Sequence, residues 1–236
     1  MTAEDRTRVA VVTGGTGALG GAVVTALLAD GWTVHVPWRT RAGADALKVT
    51  AGGSTPRLRL DEADVTDAAD VDCFFRGVDA ASGRLDALCN VAGGFAGAPI
   101  DRIVEADWDA MIATNATSAF LSCRAAVPRL RAAGGGRIVS VASAAALDAK
   151  PGMTAYVAAK AAVVAMTRAL ATELGPDRIT ANAIAPTTID TPANRKAMPK
   201  ADRSGWVSTE ALAAIVLWLL SDAAAGVTGT VVRAGR

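Results

Sequence analysis

From residue 8 to residue 234, short β-type runs alternate with longer helical patterns, and no linker or low-complexity stretch divides them. The runs are RVAVVT (8–13), TVHVP (33–37), RLRLD (57–61), RLDALCNVA (84–92), GRIVSVA (136–142), RITANAIAP (178–186) and GTVVRA (229–234). Helical patterns lie between them at about 18–30, 67–81, 107–132, 154–174 and 208–221, with a weaker one near 42–50. Several runs are apolar throughout, as strands buried on both faces must be, and parallel strands need a helix-sized crossover between them. The alternation therefore predicts βαβ units: an α/β fold with a doubly wound parallel sheet of about seven strands flanked by helices.

With 236 residues, 51% of them apolar, the chain can bury a full core, and we expect one domain over 1–236. Thr66, and Ser208 or Thr209, stand where N-caps are expected, each followed by acidic residues. The segment 187–207, TTIDTPANRKAMPKADRSGWV, breaks the rhythm with two prolines and several charges. It is too long for a passive connection and reads as a lid over a site.

A formal net charge of +1 gives no bulk attraction to nucleic acid or an anionic membrane, so a small molecule is the expected partner. The longest apolar run, Ala211 to Leu220, is about half of the ~20 residues a bilayer span needs. The start, MTAEDRTR, lacks the basic and small-residue pattern of a secretory signal. Cys73, Cys89 and Cys123 sit in apolar or helical contexts, so reduced thiols in a cytoplasmic protein are expected. With His35 the sole histidine, no metal site is expected.

VAVVTGGTGALGG runs a strand into Gly14, Gly15, Gly17 and Gly20 and then into a helix beginning near Ala18. Small residues let the backbone approach a pyrophosphate, and the helix N-terminus offers free N–H groups. This points to a dinucleotide held by Gly14, Thr16, Gly17, Ala18, Leu19 and Gly20. Asp64 and Val65, beyond the third strand, are placed for an adenine amino group. Asn90, Ala92 and Gly93 form a second small-residue edge. The second strand ends at Trp38, Arg39, Thr40 and Arg41, where an acidic residue would favour NAD and an arginine accommodates the NADP phosphate. NADP(H) is therefore favoured, NAD(H) possible, and Trp38 either stacks by the adenine or packs at the surface.

Tyr156 and Lys160, four residues apart in AYVAAK, share one face of a helix. An ammonium beside a phenol should lower the phenol's pKa from about 10 and make it a usable proton donor or acceptor. Ser143, at the end of a strand, can project into the same crevice and hold a substrate oxygen. Asn115 lies in order between these motifs. Phe95, Ala145, Met153 and Trp206, with Met198, are candidates for the substrate wall. Arg195, Lys196, Lys200 and Arg203 form either a solvated face or a contact for an anionic substrate.

Taken together and in this order, the motifs resemble the short-chain dehydrogenase/reductase family over essentially the whole chain. The resemblance implies a single-domain Rossmann fold and catalytic roles for four residues. Tyr156 would be the general acid/base, Lys160 the ribose-binding residue that tunes it, Ser143 the substrate-oxygen stabiliser and Asn115 the support of a proton relay. It further implies that Pro186, Thr187, Ile189 and Thr191 lie against the nicotinamide and phosphates, and that the chain forms a homodimer or homotetramer through the helices at 107–132 and 154–174. Departures are Ala18 and Thr187, where glycine is usual. Local stretches such as GGTGALG and ALDAKPGMTAYVAAKAAV are similar to the quinonoid dihydropteridine reductase subfamily, which lacks the serine and has the NAD-type acid. The expected activity is NADP(H)-dependent hydride exchange with a carbonyl or alcohol. Pterin or imine reduction is the nearest alternative, and a non-catalytic NADP(H)-binding sensor or scaffold the alternative of another class.

Overall fold

A computed structural model describes residues 7–53 and 55–235. Seven parallel strands form one sheet in the order β3-β2-β1-β4-β5-β6-β9. They are β1 (Val9–Thr13), β2 (Thr33–Trp38), β3 (Leu58–Glu62), β4 (Ala87–Asn90), β5 (Gly136–Val141), β6 (Ile179–Pro186) and β9 (Val231–Ala234). All seven expected strands are present, and β1, β4 and β6 are buried along their whole length.

The major helices are α1 (Ala18–Ala29), α2 (Arg41–Thr50), α3 (Ala68–Ser82), α4 (Glu105–Ile112), α5 (Ser118–Ala132), α7 (Thr154–Leu174) and α9 (Thr209–Leu220). Short helices α6 (Ala144–Asp148) and α8 (Pro192–Ala197) lie among them. On one face α1 and α9 pack together over Val12, Val34, Val36 and Ile184. On the other, α3 and α5 cover Val11, Leu88 and Ile138, while α7 runs along β6. Strand order reverses between β1 and β4, so the loops leaving their C-terminal ends diverge and open a crevice.

Two local expectations change. The single helix foreseen over 107–132 is α4 and α5 joined by a π-helical turn, Ala113–Thr117. An inserted residue of this kind has no signature in apolar periodicity, and such turns gather at functional sites. The N-cap of α3 is Asp67 rather than Thr66: its carboxylate accepts from the N–H groups of Ala69 and Asp70 at 2.8 and 2.9 Å. Thr66 instead donates its hydroxyl to Asp64 at 2.7 Å. Ser208 caps α9, accepting from Ala211 N at 3.1 Å. The segment 187–207 is ordered structure: β7 (Ile189–Asp190) pairs in parallel with β8 (Val207–Ser208), and α8 lies between them, capped by Thr191.

The helical stretch Thr154–Asp177 is long and apolar enough to cross a membrane by length and composition, although Lys160, Arg168 and Glu173 interrupt its apolar run. It lies on the sheet, and Ala159, Val163 and Ala171 are buried there.

Candidate active site

The crevice opens as a cleft of about 430 Å³. Its walls come from the ends of β4, β5 and β6, the loop after β4, the start of α7 and the 187–198 segment. Ser143, Tyr156, Lys160 and Asn115 all line it.

Each is positioned by local geometry. Ser143 leaves β5 in extended conformation and N-caps α6, its Oγ accepting from Ala145 N at 3.2 Å. The hydroxyl proton is thereby left free for a second partner. Tyr156 and Lys160 sit one turn apart in α7. Lys160 is 4% exposed, and its Nζ donates to the carbonyl of Val141 at 2.8 Å. Burial lowers its pKa from 10.5 to about 8.

Burial also raises the Tyr156 pKa above its ordinary value, and the Ser143 side chain offsets part of that rise. This corrects the expected direction: the lysine ammonium is turned to a carbonyl and is itself poorly solvated, so desolvation of the phenolate dominates. The Phe95 ring meets the Tyr156 ring edge-on, centroids 5.0 Å apart, and fixes its orientation.

Asn115 occupies the π-turn and is 1% exposed. Its Nδ2 donates to the carbonyls of Met111 (3.0 Å) and Gly94 (3.1 Å), while its Oδ1 accepts from Gly94 N at 3.2 Å. The side chain thus clamps the loop after β4 to the helix across the cleft. A Cβ on Gly93 would lie 2.7 Å from Asn115 Oδ1 and 3.0 Å from Lys160 Nζ, so only glycine keeps that space open.

The glycine-rich turn between β1 and α1 could hold an anion. Gly14 has φ +67° and lies against the backbone of Ala92, where a Cβ would come within 2.6 Å of Ala92 N. No side chain caps the first turn of α1 at Gly17, as at α4 and α7, whereas Thr40, Asp67, Ser143, Thr191 and Ser208 cap their own helices. The first N–H groups of α1 are therefore open to a ligand, and this end fits a dinucleotide pyrophosphate. Thr16, Ala18, Leu19 and Gly20 belong to this turn and helix start.

At the end of β2, Arg39 lies 3.7 Å from Asp64, and the Arg41 guanidinium sits 5.4 Å from the centre of the Trp38 ring. Trp38 has thus packed against its neighbour. Thr40 caps α2, accepting from Gly43 N at 3.3 Å. Burial pushes the Asp64 carboxyl up, but hydrogen bonds from Thr66 and the charge of Arg39 outweigh it and hold it below the ordinary value. Val65 packs against the core beside it.

Two expected ligand contacts are otherwise engaged. Asn90 is buried, its Nδ2 donating to Ser140 Oγ and Cys123 Sγ, both at 3.2 Å, so its side chain ties β4 to β5 and α5. Trp206 is not among the residues lining the cleft. Arg203 lies over its ring at 5.6 Å. Phe95, Ala145, Met153 and Met198 do line it, as do Pro186, Thr187 and Ile189. Lys150, Thr188 and Asn194 line it as well and were not foreseen; no motif marks them, because folding of the loop before α7 and of the 187–198 segment alone brings them there. Arg195 is removed from the cationic cluster by Asp190, which it holds at 2.5 and 2.7 Å. His35 is buried within β2, its Nε2 2.8 Å from Ser82 Oγ, and burial lowers its pKa.

A parallel sheet with its crevice at the strand-order reversal, an uncapped glycine-rich helix start and a Ser–Tyr–Lys cluster define a dinucleotide-dependent oxidoreductase. The chain belongs to the short chain dehydrogenase family, whose model matches residues 8–202. It is 36% identical to D-threitol dehydrogenase of Mycolicibacterium smegmatis, over 94% of this chain and 89% of that one. It is 33% identical to D-beta-hydroxybutyrate dehydrogenase of Cupriavidus necator, over 95% of both. The structure of levodione reductase superposes with a TM-score of 0.89 at 29% identity, covering 97% of this chain and 96% of that one. The protein is an oxidoreductase of a family that uses a nicotinamide cofactor and small-molecule substrates.

Proposed function

We propose that the chain is an NADP(H)-dependent reductase of carbonyl compounds, running as an alcohol dehydrogenase in reverse. The observation that carries the reading is the convergence of Ser143, Tyr156 and Lys160 on one cleft beside the open end of α1. When bound, the nicotinamide supplies or accepts the hydride at the substrate carbon. Tyr156 gives its phenolic proton to the carbonyl oxygen in reduction and takes it from the hydroxyl in oxidation. The free hydroxyl proton of Ser143 bonds the same oxygen and stabilises the charge that builds on it. Asn115 and Gly93 preserve the space beside Lys160, which would hold the ribose hydroxyls of the cofactor and pass protons to the tyrosine. Met198 and the 187–198 segment close over the bound substrate.

The phosphate preference rests on Arg39 and Arg41 with Trp38 in the slot of the ribose-binding acid, since guanidinium groups pair with a 2′-phosphate and position 38 offers no carboxylate to a 2′-hydroxyl. We further infer a dimer or tetramer. None of the side chains of α4 is buried although it carries Trp108, Met111 and Ile112, and Phe120 of the following helix is 50% exposed. A second copy covering this face accounts for both. Three free cysteines fit a cytoplasmic location.

The test is loss of NADPH and NADH absorbance with a panel of ketones, aldehydes and a quinonoid dihydropterin. Carbonyl turnover with NADPH preferred is expected, and Arg39→Ala with Arg41→Ala should lower that preference about tenfold or more. Turnover of the pterin alone would overturn the reading.

A further inference from the structure

The two relatives named above differ in their named substrates, one a neutral polyol and the other a hydroxy acid, and the cleft of this chain carries information on that choice. We propose that it selects substrates bearing an anionic group, a carboxylate or its equivalent, a few bonds from the reacting carbonyl or hydroxyl, and that Lys150 holds that group. The inference rests on the carbonyl/alcohol reading of the cleft.

Among the described residues lining the cleft there are two cations, Lys150 and Lys160, and no carboxylate. Lys160 is buried and engaged with the Val141 carbonyl. Lys150 lies in the loop between α6 and α7, beside Met153, and among the described residues it forms no ion pair.

The acids that could neutralise it are already taken. Asp148 is gripped by both nitrogens of Arg233 at 2.7 Å each, and Asp190 by Arg195. Arg233 chiefly, and Lys150 more weakly, hold the Asp148 carboxyl below its ordinary range, and Arg195 does the same for Asp190. Both carboxylates therefore stay ionised and paired, and neither turns to the cleft.

The remaining wall is uncharged, its apolar part formed by Phe95, Ala145, Met153, Ile189 and Met198 beside the polar Ser143, Tyr156, Thr188 and Asn194. A charge attracted across such a surface is less screened than one in open water. A neutral substrate would leave the exposed Lys150 with solvent and the weak field of the already paired Asp148, whereas an anion gives it a direct partner. The cationic cluster at Arg195–Arg203, the alternative anion contact, does not line the cleft. The cleft of about 430 Å³ must also admit the nicotinamide end of the cofactor, so short acids are the first to test.

Short 2-oxo, 3-oxo and 4-oxo acids, each with its methyl ester, make matched pairs for the test. For at least one pair the wild type should favour the acid about tenfold or more in kcat/KM, the magnitude of one charge-assisted contact. The preference should lie in KM and shrink with added salt. Lys150→Met should abolish it, Lys150→Glu should reverse it and Lys150→Arg should keep it. Calorimetry supplies a readout without turnover: butyrate should bind the protein–NADP+ complex more weakly in Lys150→Met, with butyramide far less affected. An acid-to-ester ratio near one in the wild type, or one that Lys150→Met leaves unchanged, would overturn the proposal while the carbonyl reading stands. Failure to turn over any ester, acid or neutral carbonyl would instead remove that underlying reading.

Discussion

Lys160 shows what a site of this kind demands of a single residue. An ammonium is held at 4% exposure with one carbonyl as its recorded partner, and its pKa falls to about 8. Because the folded value lies below the unfolded one, the unfolded chain binds the proton more tightly. The cost of burial is fully present at pH 7 and declines only as pH rises from about 8 toward 10.5. A depression of this size corresponds to roughly 3 kcal/mol of lost stability. Lys160→Met should therefore lower kcat by orders of magnitude and yet raise the melting temperature at pH 7. The gap between variant and wild type should narrow when melting is repeated at pH 9. A variant less stable than wild type at pH 7 would show that the Val141 bond outweighs desolvation.

Among the elements, the strands and long helices were readable because burial on both faces and an apolar helical stripe write themselves directly into residue order. The helix at 154–174 has the foreseen bounds. What was not readable depended on contacts made only after folding. The π-turn at Asn115 depends on the loop it clamps, and the parallel pairing of Ile189 with Val207 joins positions far apart in the chain. Trp206 looked like a substrate contact from its place in an unusual segment, but its ring is covered by Arg203. Local chemistry also misled at the start of α3, where threonine and aspartate are equally good caps by type and only the geometry selects Asp67. Asp67→Ala should cost about 1–2 kcal/mol in denaturant unfolding, with Thr66→Ala costing less. Equal losses would contradict that assignment.

At the scale of the whole molecule, strand-order reversal decides where the site must be, and the apolar side chains left outside decide how the subunit is completed. Trp108 and Phe120 are exposed, and on the proposed reading a second copy covers them. Sedimentation should find a dimer or tetramer, and Phe120→Asp should shift it to a smaller species; a wild-type monomer at micromolar concentration would contradict the inference.

The central claim is that the Tyr156 phenol moves the proton in a nicotinamide-dependent reaction. Its most direct measurement pairs NADPH binding, followed by fluorescence titration, with steady-state carbonyl reduction in Tyr156→Phe. The account predicts cofactor affinity within a few fold of wild type and turnover reduced at least about 10³-fold, within the range of about two to four orders usual for a positioned acid. Undiminished turnover by the phenylalanine variant would contradict it.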